Sequence, residues 1–117
     1  MITIKETKKK ILNDTDWWKI HFYDFVDDFR YHKNLEPVSE PFAFGDNKFD
    51  ALLASTVEVL CKELNLETPA WTKDVPACEE PYFVAGFENL KATAIVESPL
   101  PFRIRKIFVT NSFLQRV

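Results

Sequence analysis

The fold depends above all on the stretch Asn47-Lys48-Phe49-Asp50-Ala51-Leu52-Leu53-Ala54-Ser55-Thr56-Val57-Glu58-Val59-Leu60-Cys61-Lys62-Glu63-Leu64. Its apolar residues recur every three or four positions, which is the spacing of one side of an α-helix. The pattern predicts a helix over residues 47–64 whose broad buried side carries Phe49, Leu52, Leu53, Thr56, Val57, Leu60 and Leu64. A helix with so wide an apolar side must lie in the core, with other elements packed on it.

A second helix is predicted upstream, over residues 14–33. Either Asp14 or Thr15 can accept hydrogen bonds from the first amides of the helix. Its apolar stripe has the spacing i, i+4, i+7, i+11 and consists of Trp18, Phe22, Phe25 and Phe29. Asn34 and Asn65 each follow a helical pattern and precede a leucine and then a proline, so both are expected in the left-handed conformation that ends a helix.

The remaining segments predict shorter elements. A first helix over Ile4–Leu12 has Lys8, Lys9 and Lys10 on its solvent side. Residues 68–81 contain three prolines and form an ordered loop, and a short helix follows over Glu88–Glu97 with Phe87, Leu90 and Ala94 facing inward. The prediction is therefore an all-α fold: a single domain over residues 1–117, with four or five helices, a proline-rich loop and a short extended C-terminal segment.

The C-terminal segment Pro99-Leu100-Pro101-Phe102-Arg103-Ile104-Arg105-Lys106-Ile107-Phe108-Val109 alternates cations with apolar residues. Its apolar surface is too large to remain in water, so the segment is expected to pack on the 47–64 helix. On that arrangement Arg103 and Arg105 point outward, toward acids of the main body.

Charge is unevenly distributed along the chain. The formal net charge is −3, yet residues 13–98 carry 17 acids against 7 bases, and both ends are basic. An acidic body repels phosphate, so duplex DNA is not an expected partner. It suits a protein partner with a basic surface.

No catalytic or cofactor motif is visible. The sequence has no phosphate-binding glycine loop, dinucleotide fingerprint, nucleophile elbow or zinc-protease motif, so we expect no enzymatic activity and no cofactor. Cys61 lies on an apolar helical side, and Cys78 adjoins two glutamates that would raise its pKa. Two lone cysteines and the absence of a long apolar run favour a cytoplasmic protein without a membrane segment.

Two other classes of function remain open. His21, Asp24, Asp28 and His32 share one side of the second helix, a spacing that can ligate a metal and would suit a metal-dependent enzyme. Arg103, Arg105 and Lys106 could instead hold nucleic-acid phosphates, with Phe102 and Phe108 stacking on bases.

Several segments resemble a family of small bacterial domains of unassigned biochemistry. The resemblance spans roughly residues 49–117 and rests on Phe49-Asp50-Ala51-Leu52-Leu53-Ala54, Pro69-Ala70-Trp71, Glu80-Pro81-Tyr82-Phe83, Glu97-Ser98-Pro99, Phe102-Arg103 and Ile107-Phe108-Val109. The family implies no catalytic residues. It implies a toxin–antitoxin-like gene pair with a nucleotidyltransferase-like protein, and some members follow a helix-turn-helix module. Residues 1–48 contain no helix-turn-helix pattern, because the 14–33 helix is aromatic and acidic.

The leading hypothesis is a non-enzymatic protein-interaction module, an antitoxin-like or regulatory partner of a cytosolic bacterial protein. The acidic body would steer the partner, and exposed aromatic residues would anchor it. The candidate partner-binding residues are Trp17, Trp71, Tyr82, Phe83, Arg103 and Arg105. The protein itself is expected to be a monomer or homodimer.

Overall fold

The computed structural model describes residues 1–84, 88–110 and 112–115, and five α-helices and two short strands lie within them. The helices are α1 (Ile4–Asn13), α2 (Trp18–His32), α3 (Asn47–Glu63), α4 (Glu88–Glu97) and α5 (Leu100–Arg103). The strands are β1 (Tyr82–Phe83) and β2 (Ile107–Phe108), and 3-10 turns cover Thr15–Trp17, Glu36–Val38 and Ala70–Asp74. This architecture confirms the predicted mainly helical fold.

Helix α3 forms the centre of the core, as its pattern predicts. The Asp46 carboxylate accepts a hydrogen bond from the Phe49 amide at 2.9 Å and so caps the first turn. At the other end Asn65 adopts the left-handed conformation (φ 57°), and the Leu66 amide donates to the Cys61 carbonyl at 2.8 Å. Of the side chains predicted to be inward, all are buried except Leu64, which is half-buried.

Helix α2 packs with its aromatic stripe inward. Phe22, Phe25 and Phe29 are buried, and the half-buried Trp18 ring meets Phe49 of α3 edge-on with centroids 5.5 Å apart. These contacts confirm the predicted stripe and join α2 to the start of α3.

The ends of α2 differ from the prediction. Neither Asp14 nor Thr15 caps the helix through its side chain, because the chain enters through the 3-10 turn at Thr15–Trp17. The left-handed residue is Lys33 (φ 52°), one position before Asn34. The Asn34 side chain instead accepts a hydrogen bond from the Glu36 amide at 2.9 Å and so starts the next turn.

The solvent-side assignment of Lys8 is wrong. Ile4, Lys8 and Ile11 lie on the same side of α1, and all three are buried. The Lys8 ammonium pairs with the Asp50 carboxylate of α3 and donates to the Ala43 carbonyl. The charge is buried because Asp50 lies opposite it, while Lys9 and Lys10 are exposed as expected.

The C-terminal segment packs on α3 as predicted, but it does so through a one-turn helix. Phe102 of α5 is buried in the core, and so are Ile107 and Val109 farther along. Ile104 is 60% exposed, so not every apolar residue of the segment packs inward. Helix α5 was not predicted from the sequence, because a helix of four residues that follows Pro99 and includes Pro101 is too short to show a helical period.

Strands β1 and β2 pair in parallel, with Tyr82 opposite Ile107 and Phe83 opposite Phe108. The extended C-terminal stretch is therefore confirmed, and its partner is the end of the proline-rich loop. After β2, the turn at 112–115 contacts α2, where the Tyr23 hydroxyl donates to the Phe113 carbonyl at 2.6 Å.

Helix α4 agrees with its prediction where it can be compared. Ala94 is buried as expected, whereas Phe87 and the side chain of Leu90 lie outside the described residues.

The radius of gyration is 13.3 Å, close to the value of about 13 Å expected for a folded domain of this length. No helix within the described ranges is long and apolar enough to cross a membrane.

Candidate functional site

Large apolar side chains remain exposed on the outer side of α2 and at Trp17, the last residue of the 3-10 turn before it. Trp17 is 61% exposed, Ile20 is 53% exposed and Tyr31 is 82% exposed. Asp24 and Asp27, both exposed, lie between them. The spacing of Ile20, Asp24, Asp27 and Tyr31 aligns these four residues along one side of α2, and Trp17 precedes them at the N-cap. We call the five residues the outer α2 stripe. It is about 20 Å long at 1.5 Å per residue.

The outer α2 stripe follows from how α2 packs. Phe22, Phe25 and Phe29 bind the helix to the core from the opposite side, so the stripe faces solvent. An ordinary surface helix presents charged and polar residues there. The stripe instead contains three large exposed apolar groups, with two carboxylates between Ile20 and Tyr31, and exposed apolar surface bordered by polar residues is typical of protein-interaction sites.

Two histidine–carboxylate pairs lie near this stripe. The His21 ring is 3.2 Å from the Asp14 carboxylate, and the His32 ring is 3.4 Å from the Asp28 carboxylate. Asp28 also accepts a hydrogen bond from the Ile2 amide at 2.8 Å, which ties the chain start to α2. The histidines thus contact different carboxylates, and no group of three or more His, Cys, Asp and Glu side chains comes together among the described residues.

Trp71, a predicted anchor, lies within the fold. It is half-buried, and its indole nitrogen donates to the Val38 carbonyl at 2.8 Å. Its ring meets Phe42 edge-on, with centroids 5.4 Å apart. These contacts hold the proline-rich loop against the turn at Glu36–Val38, so Trp71 offers a partner only part of its ring.

Tyr82 and Phe83 are also half-buried. The Lys48 ammonium lies 4.7 Å from the centre of the Tyr82 ring. Phe83 stacks on Phe108 of the neighbouring strand, with centroids 5.0 Å apart. Both rings therefore stabilise the end of the loop, and of the four aromatic residues predicted as anchors only Trp17 is mainly exposed.

Arg103 and Arg105 occupy different environments, although they are two residues apart. The Arg103 side chain is exposed and donates to the carbonyls of Val96 and Ser98 at 3.0 and 2.9 Å. Arg105 is 5% exposed and pairs with the Glu58 carboxylate of α3. The expectation that Arg105 points outward is wrong, because its acidic partner lies inside the fold.

This placement bears on the nucleic-acid hypothesis. Arg105 and Phe102 are buried, and Phe108 is already stacked on Phe83. Of the three cations proposed to hold phosphate, Arg103 and Lys106 are exposed. The segment therefore presents fewer contacts to phosphates and bases than its sequence indicates.

The two cysteines lack the character of nucleophiles. Burial, with a smaller contribution from Glu58, raises the pKa of Cys61 to about 11. Burial also raises the pKa of Cys78 above its ordinary value. The direction for Cys78 matches the sequence-based expectation, but the main cause is burial and not the adjacent glutamates.

Ile20 and Tyr31 were missed as candidate site residues, although the sequence contains their signal. The stripe Trp18, Phe22, Phe25, Phe29 defines the inner side of α2, and Ile20 and Tyr31 lie outside it.

Comparisons of the chain with protein-family models, curated proteins and solved structures gave no match. The resemblance of residues 49–117 to a bacterial family therefore stays a hypothesis.

Proposed function

We propose that the protein is a non-enzymatic protein-interaction module that binds a basic partner through the outer α2 stripe. The observation that carries this proposal is the exposure of Trp17, Ile20 and Tyr31, at 53–82%, on one acidic helix side. Burying an aromatic side chain removes about 150–250 Å² from water, so Trp17 and Tyr31 are suitable anchors.

The charge of the stripe determines the class of partner. Asp24 of the stripe is exposed, and so is Asp16 in the 3-10 turn before α2, so a basic surface would approach faster and in a defined orientation. Raised pKa values keep both thiols protonated near neutral pH, which argues against either cysteine acting as a thiolate nucleophile.

A more specific form of this proposal, which we call the finer proposal, concerns the identity of the partner. The family resemblance suggests an antitoxin-like protein of the bacterial cytoplasm that binds a nucleotidyltransferase-like toxin. Such a toxin needs cationic groups to hold nucleotide phosphates, and an acidic, aromatic helix could cover those groups.

The test starts from a photo-crosslinking amino acid placed in cells at Tyr31, with Glu40, an exposed position outside the stripe, as the control site. The partner captured at Tyr31 is then purified, and its affinity is measured by calorimetry. Trp17→Ala should weaken binding at least about tenfold, and Asp24→Lys should weaken it most at low salt. Glu40→Lys makes the same charge change elsewhere and should leave the affinity unchanged.

Two results would contradict the proposal. Equal crosslinking at Tyr31 and Glu40 would mean that the stripe has no specific partner. A captured partner whose affinity does not respond to Trp17→Ala or Asp24→Lys would place the binding site elsewhere. An identified partner with no nucleotidyltransferase-like domain would overturn only the finer proposal.

A further inference from the structure

A second surface, lined by two lysines, lies where α5 packs against α3. Here Leu100 is 65% exposed and Ile104 is 60% exposed. They border an open groove of about 430 Å³, whose lining is mainly apolar and includes the half-buried Leu66 and Pro101. We call this the α3–α5 groove. It is formed by elements other than α2 and does not include the outer α2 stripe.

The groove is held open by the core beneath it. Phe102 inserts into the core from one side of α5, so Leu100 and Ile104, one helical turn apart, are left on the outer side. The Ser55 hydroxyl of α3 donates to the Pro101 carbonyl at 2.8 Å and fixes α5 in place. Phe102 is buried, and the Ser55–Pro101 hydrogen bond is partly buried. Leu100 and Ile104 therefore cannot turn inward without disturbing the core.

The charged residues that line the groove are two lysines and one glutamate. Lys62 and Lys73 line it, and neither has an ion-pair partner in the part of the chain that the structure describes. Among the described residues that line the groove, Glu58 is the one acid. Its carboxylate pairs with Arg105 and accepts a hydrogen bond from the Thr72 hydroxyl at 3.2 Å. Two ammonium groups therefore remain to attract an anionic ligand.

We propose that the α3–α5 groove binds an acidic, amphipathic peptide segment of a partner protein. Apolar side chains of the segment would cover Leu100 and Ile104, and its carboxylates would meet Lys62 and Lys73. An amphipathic segment in an apolar groove is a common mode of peptide recognition, and the flanking charges select its sign. This inference goes beyond the proposed function, because it assigns a second surface whose ligand has the opposite charge.

The test is a titration of ¹⁵N-labelled protein with two probe peptides, followed by amide chemical shifts. One probe is an amphipathic peptide of leucine, alanine and glutamate, and the other has lysine at every glutamate. The acidic probe should shift amides of residues 62–73 and 100–104, and the basic probe should not. Adding salt should weaken the acidic probe.

Variants test the two parts of the groove separately. Lys62→Glu with Lys73→Glu should weaken the acidic probe at least about tenfold, which corresponds to about 1.4 kcal/mol. The same double change at Lys9 and Lys10, exposed on α1, is the matched control and should have no effect. Leu100→Glu should also abolish binding, and circular dichroism verifies that each variant is folded.

Several outcomes would overturn the proposal. One is that millimolar acidic probe causes no chemical-shift changes at the amides of the groove. Another is that both probes bind equally well. A third is that the charge reversal at Lys9 and Lys10 weakens the acidic probe as much as the change at Lys62 and Lys73. Concentration-dependent self-association that Leu100→Glu removes would show that a second copy occupies the groove. Asp24→Lys in the outer α2 stripe should leave the acidic probe unaffected, so failure here is distinguishable from failure of the proposed function.

Discussion

Replacing Arg105 by alanine should destabilise the protein strongly, because this residue joins three parts of the fold. Its guanidinium donates to acceptors on α3, on the proline-rich loop and on α5: Glu58, Ser55, Thr72, Val75 and Pro101. The bond to the Thr72 carbonyl is 2.7 Å long. The side chains of Arg105 and Glu58 are only 6% and 18% exposed.

The size of the effect follows from this burial. Removing one partner of a buried ion pair costs about 3–5 kcal/mol, because the other charge stays buried without compensation. A domain of this size has a free energy of unfolding of about 5–15 kcal/mol. Arg105→Ala should therefore lower the melting temperature by roughly 10–20 °C.

Urea denaturation followed by circular dichroism measures this loss. Arg103→Ala is the matched control, since Arg103 is exposed, and it should cost about 1 kcal/mol or less. Glu58→Gln combined with Arg105→Met removes both charges and should recover much of the loss. If Arg105→Ala and Arg103→Ala unfold within about 1 kcal/mol of each other, the assigned role of Arg105 is wrong.

Three further predictions concern stability. Lys8→Ala should cost about 3–5 kcal/mol, because the buried Asp50 carboxylate loses its cationic partner and keeps only the hydrogen bond from the Gly45 amide. Lys9→Ala should stay within about 0.5 kcal/mol, and equal urea midpoints for the two variants would contradict the buried pair. Ending the chain at Ser98 removes at least four buried hydrophobic side chains, each of which stabilises the fold by about 1.5–3 kcal/mol. The truncated protein should therefore show no cooperative thermal transition. A retained transition would mean that the C-terminal segment is not part of the core. Stability should fall as the pH rises from about 9 to about 11, because unfolded Cys61 loses its proton first and folded Cys61 retains it. Cys61→Ala should remove that part of the slope, and an unchanged slope would argue against a raised pKa.

The sequence alone predicts the longer helices well, because their signals are local, whereas the one-turn helix α5 was not predicted. The stripe Trp18, Phe22, Phe25, Phe29 and the broad side of residues 47–64 repeat with the helical period, and burying these sides is the main driving force for folding. Ser98-Pro99 likewise predicts the end of α4, since proline disfavours a helical residue before it. Because the inner side of α2 was identified, its outer side was also determined, including the exposed Ile20 and Tyr31.

Only the tertiary structure determines which of the charged residues are buried and which are exposed. Lys8 is chemically like Lys9, and Arg105 is like Arg103, yet one member of each pair is buried. The difference lies in a distant carboxylate, Asp50 for Lys8 and Glu58 for Arg105, each more than 40 residues away along the chain. Burying a charge costs several kcal/mol unless such a partner is in place, and only the packed fold brings the two together. The same holds for the α3–α5 groove, where Lys62 and Lys73 meet Leu100 only after the C-terminal segment has docked on α3.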